Sequence, residues 1–434
     1  MKNYKFIVPV FLVAIFILSI FKLYDSRGKK EDEYYKYLKL AQAKREEGIY
    51  IDAKAYYSQA LSVKPSLNLY EEIGEFYLEY EEEDAAIEWG EEIINQYPYE
   101  NAGYEFLFKI YDRNEDYIVA YSLVDKLKKR KVESDYIDNR MSELQYVYYF
   151  KGEYISVGAF NNGLCPVKSE TSWGYVNSTG AKVIESKYSQ AGSFFSGVAP
   201  VVDMEGNAYF INEEGYKKNN IYTIENAKGF TFVYDNLFAA NDNGQWGFYN
   251  IENYEYVFGK YDEATSIGNG LAAVRNGTVW TIINEKGEEV SDAKYEAVVA
   301  DERGVIYRND RIFVKDTSGY YMINSKGEKV GNDVYEDVDM FRSSDYAAVK
   351  KNDSWYFIDK DGNIIFENKF DGARSFSNGY AAVKINDKWG FIDKEGNIVI
   401  EQLFDGAMDF NEKGCVYVND GGIWTLLILI KDNH

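Results

Sequence analysis

A block of about thirty-five residues recurs through the last two thirds of this 434-residue chain. No other feature limits the fold as much. The clearest copy, residues 379–414, contains Tyr380-Ala-Ala-Val-Lys384, a short β-prone run, and then Asn386-Asp387, a turn. Trp389-Gly390-Phe391-Ile392-Asp393 is a second strand, Lys394–Asn397 a second turn and Ile398-Val399-Ile400 a third strand. The phrase Phe404-x-x-Ala407-x-x-Phe410 carries the chain into the next copy and is expected to pack between units. The aromatic of the second strand anchors each copy. It stands at Trp173, Tyr209, Trp246, Trp280, Tyr320, Trp355, Trp389 and Trp424, at intervals of 34 to 40 residues.

The phase of the repeat bears on closure. Tyr154, Val157, Phe160 and Gly163 match Phe370, Ala373, Phe376 and Gly379 at identical spacing, so the chain enters the array with the end of a unit. The last copy stops after its Trp424 strand. Two such fragments make one unit, as in a ring whose last blade is completed by both ends of the array, and closure removes exposed sheet edges. The pattern therefore predicts a β-propeller-like ring of about eight units. An open β-solenoid is the alternative, because thirty-five residues is lean for a four-stranded blade.

The pairs Trp173-Gly174, Trp246-Gly247 and Trp389-Gly390 resemble the WG-repeat (KWG-repeat) family. Copies at Trp280, Trp355 and Trp424 lack the glycine, and those at Tyr209 and Tyr320 lack the tryptophan as well. The resemblance implies a mostly bacterial repeat protein with no common enzymatic activity. Physically, a glycine beside the indole lets a neighbouring strand approach closely. Asp359-x-x-Gly362, Asn324-x-x-Gly327 and Asn284-x-x-Gly287 read as hairpin turns, and Asp359–Asn363 as a turn rather than a calcium loop.

Before the β-array, residues 31–150 show a helical period with a second repeat, near 33 residues. Tyr37, Ala41, Ala53, Tyr57, Ala60 and Pro65 are followed by Tyr70, Gly74, Ala86, Ile93 and Pro98, and then by Tyr104, Leu107, Tyr111, Ala120 and Val124. Small residues at 41, 53, 74 and 86 let antiparallel helices approach, and the prolines end them. This set closely resembles the tetratricopeptide repeat. The resemblance implies a short α-solenoid that presents a groove to a protein or peptide partner.

The first thirty residues differ again. Phe6 to Phe21 are apolar apart from Ser19, between Lys2, Lys5 and Lys22. With no small-residue cleavage site following, this reads as an uncleaved N-terminal transmembrane helix, with a cleaved signal as the alternative. It predicts a single-pass membrane protein with its bulk outside the cytoplasm. The expected fold class is thus multidomain α + β: an anchor over 1–30, tetratricopeptide-like helices over 31–150 and an all-β repeat domain over 151–434.

Composition narrows the function. A net charge of −23 argues against nucleic acid, which calls for a basic stripe. The one histidine is His434, so imidazole chemistry in a folded site is excluded, and the two cysteines, Cys165 and Cys415, make no disulfide framework. No nucleophile motif, phosphate loop or metal-ligand cluster stands out, so neither cofactor nor metal is expected. The residues point to a non-enzymatic scaffold recognising another protein at the bacterial cell surface. A cell-wall or polysaccharide-binding module is the alternative, and an enzyme with a site in the channel of the ring stands behind both. The longer copies, residues 197–236 and 292–316, are where specialised surface is expected.

Overall fold

The structure, a computed structural model, describes residues 28–430 except 196, 219–226, 232, 234 and 235. It divides into two compact units, the first ending at Gln145 and the second beginning at Tyr146.

The first unit is helical. The described part of α1 covers 28–46, and five helices of 12 to 14 residues follow: α2 (Tyr50–Val63), α3 (Leu67–Glu79), α4 (Glu83–Gln96), α5 (Ala102–Arg113) and α6 (Tyr117–Lys129). α7 (Asp135–Glu143) closes the series, with Ser134 Oγ accepting from Ile137 N at 3.2 Å. The small residues of the pattern sit where helices meet. Ala41, Ala53, Ala60, Ala86 and Ala120 are fully buried, and a Cβ on Gly74 would lie 2.9 Å from the Phe106 ring. Gly48, Glu81 and Glu115 take the left-handed conformation at equivalent turns. The next amides reach back five residues, Glu82 N to Tyr77 O (3.0 Å) and Asp116 N to Tyr111 O (2.8 Å).

The second unit is a closed ring of eight small antiparallel sheets. Taking blade 7 as the pattern, its strands are Gly372–Ala373, Ala381–Ile385, Lys388–Ile392 and Ile398–Phe404, in that order across the sheet. Blades 1 to 6 repeat the arrangement over 156–188, 190–212, 227–261, 263–284, 297–335 and 337–358. Blade 8 is made from both ends of the array. Gly406–Ala407, Cys415–Asp420 and Ile423–Leu429 are joined by Tyr148–Tyr154, with Tyr154 opposite Trp424. A separate apolar cluster fills every junction between neighbours. The one closing the ring joins Cys165, Val167 and Val176 of blade 1 to Tyr417, Leu426 and Ile428 of blade 8. The ring is therefore shut, and the open-solenoid alternative is set aside.

The phrase expected to pack between units does so, and it also supplies the short innermost strand. Ala373 lies on that strand, and Phe376 is buried against Phe357 of blade 6, with ring centroids 4.8 Å apart.

The glycine after the tryptophan has a specific role. A Cβ on Gly390 would lie 2.5 Å from Ile400 O, and one on Gly174 2.6 Å from Ile184 O. The outermost strand bulges over this point, where only glycine leaves room. Blades 2, 4 and 6 carry Phe210, Thr281 and Tyr356 there, and their outermost pairing shrinks to isolated bridges. Blades 5 and 8 also lack it, yet keep a full outer strand; in these the strand itself carries a left-handed glycine, Gly331 or Gly152.

One expectation is corrected. Among the described residues no helix is long and apolar enough to cross a membrane. α3 to α6 are amphipathic, α2 carries Asp52 and Lys54, and each, at about 1.5 Å per residue, spans roughly 20 Å against a core of about 30 Å. The apolar segment 6–21, on which the transmembrane helix was placed, lies outside the described residues. The single-pass anchor, and the membrane localisation inferred from it, are not supported.

Candidate functional site

The eight repeat anchors do not converge. Trp173, Tyr209, Trp246, Trp280, Tyr320, Trp355, Trp389 and Trp424 each sit on the third strand of their own blade, half-buried. Among the described residues seven face an aromatic on the neighbouring segment. Trp173 faces Tyr188, Trp389 faces Phe404 and Trp355 faces Phe370. They are packing residues distributed around the ring.

What does converge is a set of charged side chains at the innermost ends of blades 5 to 8. The residue after the short strand is Gly158, Gly192 and Thr265 in blades 1, 2 and 4. In blades 6 and 7 it is Asp339 and Arg374, and in blade 8 Asp409 comes one position later. Arg342 follows three residues after Asp339. Glu302 comes from the turn 301–304 of the longer copy in blade 5, which is closed by Gly304 N donating to Asp301 O at 2.8 Å.

These groups form one network. Arg342 Nη2 donates to Asp339 Oδ1 (2.8 Å) and Glu302 Oε1 (3.2 Å), and its Nη1 reaches Glu302 Oε2 and lies 3.4 Å from Asp409 Oδ2. Arg374 Nε donates to Asp409 Oδ1 (2.7 Å), while its Nη2 reaches Asp409 Oδ2 (3.0 Å) and Glu302 Oε1 (2.5 Å). Arg374 joins blade 7 to blade 5, and Arg342 joins blade 6 to blade 8. Blades two apart can touch only beside the axis of a ring, so the network marks its centre. Behind it Asp301, with a side chain only 1 % exposed, holds Arg303 Nε at 2.9 Å. Asp339 Oδ2 accepts from Ser375 N at 2.8 Å, which fixes that carboxylate from a second blade.

The proton affinities follow from this geometry. Burial alone would push the Glu302 carboxyl up, but the Arg342 and Arg374 guanidiniums more than offset it and hold it down at about 2. Asp339 moves the other way, because burial outweighs the pull of Arg342 and raises its carboxyl. Burial works against the charge on Arg342 and Arg374, yet the surrounding carboxylates raise both above the usual arginine value.

A cavity of about 210 Å³ opens beside the network. Its walls come from blades 1, 5, 6, 7 and 8, with Phe160, Met408 and Phe410 as apolar surface and Ser343, Ser377 and Asn378 as neutral polar surface. Of its charged walls, Arg303, Arg308, Arg342 and Arg374 stand against Glu302, Asp409 and Glu412, while Asp301 and Asp339 pair with Arg303 and Arg342 from behind. Asn161 Nδ2, Arg342 Nε and Tyr417 Oη, all on lining residues, are buried without a hydrogen-bond partner. Among the described residues no three His, Cys, Asp or Glu are placed to hold a metal ion. Asp359 accepts from Asp361 N and Asn363 N, each at 2.9 Å, as a turn residue. Cys165 and Cys415 are not joined in a disulfide, and both are buried in the closing junction.

The recurring Trp-Gly pattern agrees with what family comparison finds. Stretches 173–206, 246–277, 280–307, 322–355, 357–389 and 389–424 match the model of the WG containing repeat. The C-terminal region carries WG-containing repeats. No curated protein is significantly similar to the chain. Among solved structures, BamB from Moraxella catarrhalis aligns at 10% identity over 65% of this chain and 100% of its own, with a TM-score of 0.42. The WD40 domain of SCAP from fission yeast aligns at 10% identity over 66% and 97%, with a TM-score of 0.36. The propeller-like description rests on the closed ring itself.

Proposed function

We propose that the chain is a non-enzymatic scaffold that recognises a protein partner. The observation that carries this reading is a pocket of about 120 Å³ between α2, α3 and α4 of the helical unit. Tyr57, Phe76, Tyr77 and Trp89 line it, and Lys54 Nζ lies 5.2 Å from the centroid of the Tyr77 ring. An aromatic pocket with a cation at its edge suits one apolar or aromatic side chain of a peptide lying along the helices. Tetratricopeptide-like helix pairs would present such a groove.

The non-enzymatic part is supported by the channel. Glu302 and Asp409 are paired with guanidiniums, and Ser377 Oγ donates to Phe410 O at 2.9 Å, so none of the three is poised as base or nucleophile. The polysaccharide alternative loses support because the repeat aromatics that would stack on sugars are engaged in packing.

Ser58, exposed at the rim of the pocket, provides the test. Ser58→Arg fills the pocket without entering the core. Protein partners recovered by the wild-type chain and lost by this variant support the scaffold reading. Identical recovery by both, or retention on purified wall glycan instead, overturns it.

A further inference from the structure

The aromatic pocket of the helical unit has one polar group left open. Its other polar side-chain atoms find partners within the protein. Tyr57 Oη donates to Glu72 Oε1 at 2.8 Å, Trp89 Nε1 to Tyr70 O at 2.8 Å and Ser58 Oγ to Lys54 O at 2.9 Å. The rest of the lining is apolar apart from the Tyr77 hydroxyl, which has Lys54 beside it. Lys54 itself is exposed, and among the described residues no carboxylate pairs with its ammonium. Nζ keeps the Tyr50 hydroxyl at 3.4 Å and the Tyr50 and Tyr77 rings, with centroids at 5.6 and 5.2 Å. Lys44, Arg45 and Lys64 of the same unit each hold a glutamate instead.

We propose that this pocket receives a protein segment in which an apolar side chain stands beside an aspartate or glutamate. The inference rests on the scaffold reading and adds to it the chemistry of the partner. The apolar side chain enters between the Tyr77 and Trp89 rings, and a pocket of about 120 Å³ takes one such group. The carboxylate meets the Lys54 ammonium, the one charged group of the lining. Nζ lies 5.2 Å from the Tyr77 ring that forms the wall. An extended segment advances about 3.3 Å per residue, so the acid falls within about two positions of the apolar residue. A basic residue at that place would be repelled by Lys54. The chain as a whole, at a net charge of −23, draws no acid in bulk, so the preference arises at the pocket itself.

The experiment is a selection of displayed random heptapeptides on the full chain, counter-selected on Ser58→Arg. Peptides kept by the wild type and lost on that variant are expected to share an apolar residue with Asp or Glu within about two positions. Synthesised singly, each should bind about tenfold more weakly when the acid is replaced by its amide. Lys54→Gln should weaken the acid form about tenfold and leave acid and amide forms equal, as a direct pair requires. Lys54 is exposed, so this substitution does not disturb the core. Equal binding of acid and amide forms by the wild type overturns the acidic partner, as does a difference that survives in Lys54→Gln. Either result leaves the pocket and the scaffold reading in place. A selection in which no peptide is lost on Ser58→Arg overturns both.

Discussion

The two sides of the ring's channel are built from the same repeat and differ in one respect. Blades 1, 2 and 4 present Gly158, Gly192 and Thr265 after the innermost strand, while blades 6, 7 and 8 present Asp339, Arg374 and the Met408-Asp409 pair, with the turn of blade 5 beside them. The junctions between blades do not share this asymmetry, for each carries an apolar cluster of the same kind. Positions that every copy fills alike hold the ring together. Positions that only some copies fill with charge are free of that duty and can serve recognition.

The largest effect expected from this difference follows removal of a cation on the charged side. Arg374→Met leaves Asp409 and Glu302 to share the Arg342 guanidinium, and breaking a buried pair in this way costs about 3–5 kcal/mol. Chemical denaturation measures it. A loss below about 1 kcal/mol would mean that the charged side is no more demanding than the plain one.

A change at a shared position should cost less. Gly390→Ala drives a Cβ against the backbone of the outer strand, for about 1–3 kcal/mol. Blade 4 already holds Thr281 at this place and has given up the continuous strand. The same denaturation series, with amide exchange at 398–404, shows whether blade 7 then resembles blade 4.

Acid separates the two sides more gently. Glu302 has a folded value near 2, below its ordinary 4.5, so its stabilisation is present above about 4.5 and is lost as pH falls towards 2. Asp339, raised by burial, contributes with the opposite sign, since protonation on the way down relieves its cost. Melting temperature against pH should therefore fall more steeply below pH 4.5 in the wild type than in Glu302→Gln. Parallel curves would remove Glu302 from the network.

The smallest effect belongs to Tyr417→Phe. Its hydroxyl is buried without a partner, so its removal should be neutral or stabilising by up to about 1 kcal/mol. A clear loss of stability would reveal an acceptor in the folded protein.

The repeat length, the number of units and the meeting of the two array ends could all be read from the sequence, because each rests on an apolar or glycine position that recurs. Tyr154 announced its place opposite Trp424 by matching Phe370 at identical spacing. The charged centre could not be read in the same way. Within one copy, Arg374 or Asp409 looks like any solvated loop residue, and only the closed ring brings blades 5 and 7 together. Two signals were present. The copy over 292–316 was longer, and the residue after the innermost strand changed from small to charged. The aromatic run Tyr148-Tyr149-Phe150 also misled, since it continues a helical period yet pairs as a strand with Leu429, Ile428 and Leu427. Long-range closure overrode local pattern there.

The way blade 8 is assembled sets a timetable for biosynthesis. Tyr148–Tyr154 is the first β-segment to leave the ribosome, and Ile423–Leu429, its neighbour in the finished sheet, is the last. Seven blades can form while the founding strand still waits with one bare edge. A nascent chain arrested before Ile423 would thus expose an aromatic strand open to mispairing, and quality-control factors would meet it there.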